Sequence, residues 1–287
     1  MKELVKGIRT AAGLSQQEFA DVLGVTFAAV NRWENGHATP NRLAQSRIYD
    51  FCQEKGISLM DLILEKIGAA VSRLSLPDNR IILYHGSKSG IVGNIAPVSR
   101  DRCDFGRGFY MGTQPDQPLT LICDFEKSRF YVVSLNLENL NVLRVPADIE
   151  WAMLVAYHRG KMEKIQGIGL YNKYRQMLEN VDVVIGSIAN DRMFYVLDNF
   201  FLGNITDTAL VNSLSALQLG EQYVCVTQKA CNEVRIEAEI PVSALERRCL
   251  QDVSAQSRAR GIALANDICK NHRREGRFFD EILDDPA

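Results

Sequence analysis

The sequence predicts a multidomain chain, an all-α domain followed by an α+β domain, on three observations. In residues 1–68 apolar side chains recur at helical spacing, and glycines at 13, 24 and 36 stop the successive runs. From residue 80 onward, short apolar runs alternate with helical stretches. Between the two, residues 69–79 end in Leu76-Pro77-Asp78-Asn79, a turn-forming string that reads as a connector. The expected units are 1–68, a connector at 69–79, 80–240, and a helical C-terminal extension at 241–287.

Composition bounds what these units do. With 287 residues, 46% of them hydrophobic, the chain is long enough for two cores. A formal charge of −2 excludes bulk attraction to nucleic acid or membrane, so any basic site must be local. The seven cysteines are scattered, with no CxxC pair or zinc spacing, which fits free thiols in a reducing compartment and no metal. There is neither a signal peptide nor an apolar run of the ~18 residues a membrane helix needs, so a cytoplasmic location is expected. P-loop, HExxH and GxSxG patterns do not occur.

In the first unit, Leu4, Ile8 and Ala11 form a helical stripe that ends at Gly13. Ser15 then caps a second helix, with Glu18 completing a capping box, and that helix stops at Gly24. A third runs to Trp33-Glu34-Asn35-Gly36, and two more are expected at 42–55 and 58–66. Val22, Val25, Val30 and Trp33 are expected in the core. Helix, glycine turn and helix at this spacing form a helix-turn-helix pattern. The segment LSQQEFADVLGVTFAAVNRWENGHATP resembles the Xre/Cro/repressor family. That resemblance implies a DNA operator as partner, a homodimer, and a second motif helix lying in the major groove. It places Gln16 at a base or phosphate, with Gln17 assisting at the phosphate. Thr26, Phe27, Ala28 and Arg32 fall on the exposed face, where Phe27 and Ala28 would touch thymine methyls and Arg32 would reach guanine. Eight Lys/Arg balance eight Asp/Glu in residues 1–68, so sequence-independent DNA affinity should be modest. A module serving only protein contacts is the alternative.

In the second unit, strands are predicted at 81–84, 108–112, 130–136, 141–145, 181–185, 223–227 and 232–238. Helices are predicted at 117–123, 149–158, 169–180, from 205 or 208 to 217, and at 254–270. His85 sits at a strand end before Gly86-Ser87, where an imidazole can hydrogen-bond vicinal hydroxyls. Asp104-Phe105-Gly106-Arg107-Gly108-Phe109-Tyr110 delivers an aromatic pair after two glycines. A third block runs from Asp182 through Gly186 to Asn190-Asp191.

These three blocks resemble an ADP-ribosyltransferase-fold group with the pattern YHGS, DFGxGFY and DxVIGxIAxD. The resemblance implies a split β-sheet with helices and NAD as substrate. In it His85 holds a ribose, Gly86 and Ser87 lie near the nicotinamide amide, and Tyr110 stacks on nicotinamide. Arg107, with Arg102, would meet the pyrophosphate, and Asp191 would contact ligand or substrate. A catalytic glutamate is expected at the start of a later strand. Strand alternation puts Gln222 in its place rather than Glu221, and an amide lacks the charge that stabilises a developing cation. His85, Tyr110 and Gln222 are therefore expected to converge on one cleft as the catalytic set. The expected function is a DNA-binding protein that transfers ADP-ribose to a macromolecule. It would belong to a self-regulating toxin–antitoxin or phage-defence element with a cognate partner protein. A catalytically inactive NAD or ADP-ribose sensor is the alternative, and RNA 2′-phosphate chemistry ranks last.

Overall fold

A computed structural model describes the chain except residues 189–190, 218–219, 273–274 and 285–287, and the side chains of 191–194 and 217. Five helices open it: α1 (Lys2–Ala11), α2 (Gln16–Leu23), α3 (Phe27–Glu34), α4 (Arg42–Lys55) and α5 (Leu59–Val71). Each boundary has a local cause. The Ser15 hydroxyl accepts from Glu18 N while the Glu18 carboxylate accepts from Ser15 N, closing the capping box. Gly24 ends α2 in the left-handed region, at φ 61°, where a side chain would be strained. Thr26, Asn41 and Ser58 cap the next three helices.

Phe19, Val30, Trp33, Ile48 and Ile63 fill the domain's interior. Val22 does not join them, standing 57% exposed, because α2 turns Phe19, Ala20 and Leu23 inward. Val25 is half-buried. The carboxylate of buried Glu34 is held by the Arg9 guanidinium at 2.6 and 3.0 Å.

The second unit is built on β1 (Arg80–Ser87), β2 (Phe109–Gly112), α6 (Asp116–Ile122), β3 (Arg129–Asn136), β4 (Val142–Val145), α7 (Ile149–His158), α8 (Gly169–Gln176), β5 (Val183–Ser187), α9 (Asp191–Phe201), α10 (Asp207–Leu217), β6 (Glu221–Cys225), α11 (Gln228–Asn232), β7 (Val234–Pro241), α12 (Ala244–Asn271) and α13 (Phe279–Asp284). The strand order is β4-β5-β6-β2-β1-β3-β7, with only β4 and β5 parallel. β1 pairs with β3 along its whole length, but with β2 only at Tyr84 opposite Gly112. The sheet is thus split into a β1-β3-β7 half and a β2-β6-β5-β4 half.

One apolar layer, with Leu83, Phe109, Met111, Tyr131 and Tyr223, spans both halves on one face. On the other face each half has its own layer. Trp151, Tyr174 and Phe200 cover the β6 side. On the β3 side, Phe130 and Val132 join Leu119, Ile122 and the helix-turn-helix core in one continuous cluster.

Helix α12 clamps this junction. It starts ten residues before the helix predicted from 254, because Ser243 and Glu246 form a second capping box. Its first turns bury Leu245, Cys249 and Leu250 in the shared cluster. Glu246, at 2.7 Å from Lys66 of α5, forms an ion pair with side chains only 4% and 16% exposed. Tyr49 hydrogen-bonds Asp252, Arg248 lies 4.0 Å over the Tyr49 ring, and Leu245 N donates to Gln45 Oε1 at 2.9 Å. Burial pushes the Glu246 carboxyl upward, but Lys66 and the Ser243 cap outweigh it and hold the group below the usual range.

Stability from Glu246 is therefore fully present above its ordinary pKa, about 4.3, and is lost as pH falls through the lowered folded value. Lys66→Met leaves a buried carboxylate unpaired and should cost about 3–5 kcal/mol in urea unfolding at pH 7. Lys66→Met combined with Glu246→Gln should recover most of that loss; a double variant no more stable than the single one would show that the cost arises elsewhere.

Candidate functional site

The helix-turn-helix face presents Gln17, Thr26, Phe27, Ala28 and Arg32 as exposed side chains. Thr26 also acts as the N-cap of α3, its hydroxyl accepting from Ala29 N at 3.2 Å. Gln16 is half-buried: its amide donates to Glu34 at 2.7 Å and accepts from Asn31 at 3.2 Å. These bonds orient Gln16 at the α2–α3 corner, beside the exposed face rather than free upon it.

His85 lies just past the last β1–β2 pair, where the strands part. Its Nδ1 is 2.7 Å from the Tyr110 carbonyl, and its ring stacks on Phe109 at 4.3 Å between centroids. A carbonyl oxygen only accepts, so Nδ1 carries the proton and Nε2 of the neutral ring is an acceptor. Burial pushes the imidazole pKa below its usual value, and the carbonyl offsets part of that push. Gly86 follows because a Cβ there would lie 2.5 Å from the Pro118 carbonyl oxygen of α6. Ser87 ends the strand opposite Arg129.

Tyr110 does not stand over an open cleft. Its hydroxyl donates to Gly106 O at 2.8 Å and accepts from Phe105 N at 3.1 Å, pinning the loop between Asp104 and Arg107. Burial, reinforced by nearby Asp104, raises the phenol pKa and keeps it protonated. Gln222, 5% exposed, donates its amide to Ser187 O at 2.9 Å and to Asp104 Oδ2 at 3.2 Å. Asp104 Oδ1 in turn receives Arg159 at 2.6 Å. Both Gln222 partners only accept, so Oε1 is left as its acceptor end.

Residues paired directly across antiparallel strands share a face, and neighbours along a strand alternate. Tyr84, Gly112 and Gln222 lie opposite one another, which puts Tyr110 and Gln222 on one face. His85 falls on the other, with Met111, Tyr223 and Glu221. The expected convergence of three side chains is thus only partly met. Tyr110 and Gln222 gather around Asp104, whereas His85 reaches them solely through the Tyr110 backbone. Asp104, inside a block noticed in the sequence, is the linking residue that sequence reasoning passed over.

Arg107 pairs with Asp101 at 2.6 Å, both side chains largely exposed, and borders a cavity of about 540 Å³. Phe105, His158, Asp182 and Lys229 also line that cavity. Asp182 accepts from Asn141 N, Thr227 and Lys229, which hold its carboxyl below the usual range. The Asp191 side chain and Asn190 lie outside the described residues. Among the described residues no group of three His, Cys, Asp or Glu could hold a metal ion, and no helix is long and apolar enough to cross a membrane.

His158, whose Nε2 is buried without a hydrogen-bond partner, has its pKa pushed down to about 4 by burial. An unfolded chain protonates this histidine near pH 6.5, the folded one only near 4, so stability falls as pH drops through that window. His158→Gln should flatten this slope in urea unfolding compared at pH 7 and 4.5; an unchanged slope would assign the pH dependence to other groups.

A helix-turn-helix family model matches residues 5–43, which supports a DNA-binding role for the N-terminal domain. No curated protein and no solved structure matches the chain. A second family model, described as a protein of unknown function, matches residues 81–236, or 156 of the 287 residues. The chain therefore belongs to that family, DUF3990, and carries a helix-turn-helix domain ahead of the family's mixed α/β domain.

Proposed function

We propose that this is a DNA-binding protein whose DUF3990 domain is ADP-ribosyltransferase-like, binding NAD and transferring ADP-ribose to a macromolecule. The observation that carries the proposal is the pair of oriented acceptors flanking the gap in the sheet. His85 Nε2 and Gln222 Oε1, on opposite faces of the sheet, are each left as the acceptor end because the opposite end of the group is committed to an acceptor-only partner. Acceptors fixed in this way suit the hydroxyls of a ribose, which arrive as donors. The split sheet supports the same reading, since its two central strands carry the His-Gly-Ser and Phe-Tyr blocks.

In this scheme His85 on one face of the sheet and Gln222 on the other each hold a hydroxyl of a different ribose of the dinucleotide, and Tyr110 keeps the 104–107 loop against the site. Gln222 supplies no charge to the developing cation, so turnover should be slow. A fixed negative charge, Asp104, stands one hydrogen bond behind Gln222 and is shared with Arg159. Toxin–antitoxin or phage-defence context, with a cognate partner protein and a homodimer on the operator, completes the proposal.

A second reading, a regulator whose domain senses NAD or ADP-ribose without turnover, is favoured by the neutrality of Gln222. Incubation with labelled NAD and cell lysate separates the two. For the transferase, Gln222→Ala and His85→Asn should each lower labelling about tenfold, the loss of one hydrogen bond of roughly 1.4 kcal/mol. Gln222→Glu combined with Asp104→Asn, which removes the carboxylate a glutamate would meet, should raise it. Tight NAD binding in calorimetry without labelling by any variant would support the sensor, and neither binding nor labelling would overturn both.

A further inference from the structure

The cavity of about 540 Å³ lies at the other end of the β5–β6 ladder from Gln222, and its volume suits a small organic ligand. Val226, in its wall, follows the same alternation as Gln222 and stands about 13 Å along the strand from it. The loop that Tyr110 pins separates the two places. Asp104, at its start, bonds Gln222, whereas Phe105, Gly106 and Arg107 line the cavity. A Cβ on residue 106 would lie 2.9 Å from His158 Nδ1, so the loop rests directly on that imidazole. Burial keeps the ring neutral until pH falls to about 4, and His158 therefore adds no charge to the wall.

Two cations line the cavity. Arg107 commits Nε and Nη2 to Asp101, but both side chains are largely exposed, where such a pair contributes at most about 1 kcal/mol and gives way readily to a ligand. Lys229 Nζ donates to Asn139 O at 2.6 Å and to Asp182 Oδ2 at 2.9 Å, which uses two of its three hydrogens. The Asp182 oxygens are taken by Asn141 N, Thr227 and Lys229, which blunts their repulsion of an incoming anion. Leu178, Val181 and Val226 supply an apolar side. We infer that this cavity is a regulatory site for a phosphate monoester carrying an apolar ring, of the size of a nucleoside monophosphate. Arg107 and Lys229 draw the phosphate, and the ring lies against the apolar side. A neutral ligand would leave both cations unused, and a bare anion would leave the apolar side empty. Because the loop is a wall of the cavity, an occupant steadies Phe105 and Gly106, and with them the Asp104 carboxylate that holds Gln222. None of this depends on NAD binding.

Calorimetry of the full chain with adenosine 5′-monophosphate (AMP) tests this. Wild type should bind AMP, and should bind inorganic phosphate and adenosine each about tenfold more weakly, since each lacks one half of the ligand. Arg107→Met and Lys229→Gln should each weaken AMP binding about tenfold, the loss of one charge-assisted hydrogen bond. His85→Asn should leave it unchanged, because that side chain lies on the other face of the sheet. The Phe105 and Gly106 amides donate to the Tyr110 hydroxyl and the Cys103 carbonyl, and AMP at about ten times its Kd should slow their hydrogen exchange about tenfold. Wild type that binds no AMP at about 1 mM overturns the inference. So does AMP binding that survives both substitutions, that falls in His85→Asn, or that is matched by phosphate or adenosine alone. AMP binding without slowed exchange overturns the regulatory role. Should Lys229→Gln fail to melt cooperatively, Arg107→Met, whose partner is exposed, decides alone. The labelling experiment with NAD reads the proposed transfer separately, so failure of either leaves the other standing.

Discussion

A single ladder pair, Tyr84 opposite Gly112, joins the two halves of the sheet, and most of the second domain follows from it. β1 spends its other partners on β3, so beyond Tyr84 its inner edge has no strand to bond. Unsatisfied backbone inside a protein is costly, and the chain meets that demand with side chains. The His85 imidazole takes the Tyr110 carbonyl where a ladder donor would otherwise stand. Helix α6 closes the same opening from one face, approaching so nearly that residue 86 has no room for a Cβ. The glycine of the His-Gly-Ser turn is thus required by packing, independently of any ligand.

Helix α6 also connects the opening to the DNA-binding domain. Leu119 and Ile122 pack in the same cluster as Phe19, Ile48 and Ile63, while Gln251 of α12 hydrogen-bonds Asp124 just beyond α6. α12 fixes the other side of that cluster to α4 and α5 through Glu246, Arg248 and Asp252. A buried ion pair contributes little net stability, but its desolvated charges tolerate few alternative arrangements. The junction is consequently a packed seam with one favoured geometry. Movement of α6 would be resisted by apolar packing shared with the helix-turn-helix domain, which gives the two domains a mechanical connection that a polar linker would lack.

The helices of the first domain were legible because their signals are local. Ser15, Glu18, Gly24 and the caps of α3 and α4 act within four residues of where they stand. Val22 was misplaced because a valine at one turn of an eight-residue helix satisfies either face of a short pattern. In the second domain the strands were legible, but their mutual register was not. Alternation along β2 says that Phe109 and Tyr110 point apart, yet says nothing of which one shares a face with His85. That depends on Tyr84 meeting Gly112, a contact between residues far apart in sequence. Asp104 illustrates the same limit, since its partners Arg159 and Gln222 lie 55 and 118 residues away.

The electrostatics of Gln222 narrow what chemistry the domain can perform. A glutamate in that position would place a second carboxylate against Asp104, and two carboxylates sharing a site repel unless one takes a proton or a cation intervenes. Arg159 already balances Asp104, at 2.6 Å, and a second negative charge would leave the cluster anionic in an apolar layer. The amide avoids this by donating to Asp104 in place of repelling it. Glutamine at 222 and aspartate at 104 are therefore one choice rather than two. For the proposed transferase, this would leave a neutral acceptor for sugar hydroxyls and set the charge that would hasten loss of nicotinamide one hydrogen bond away.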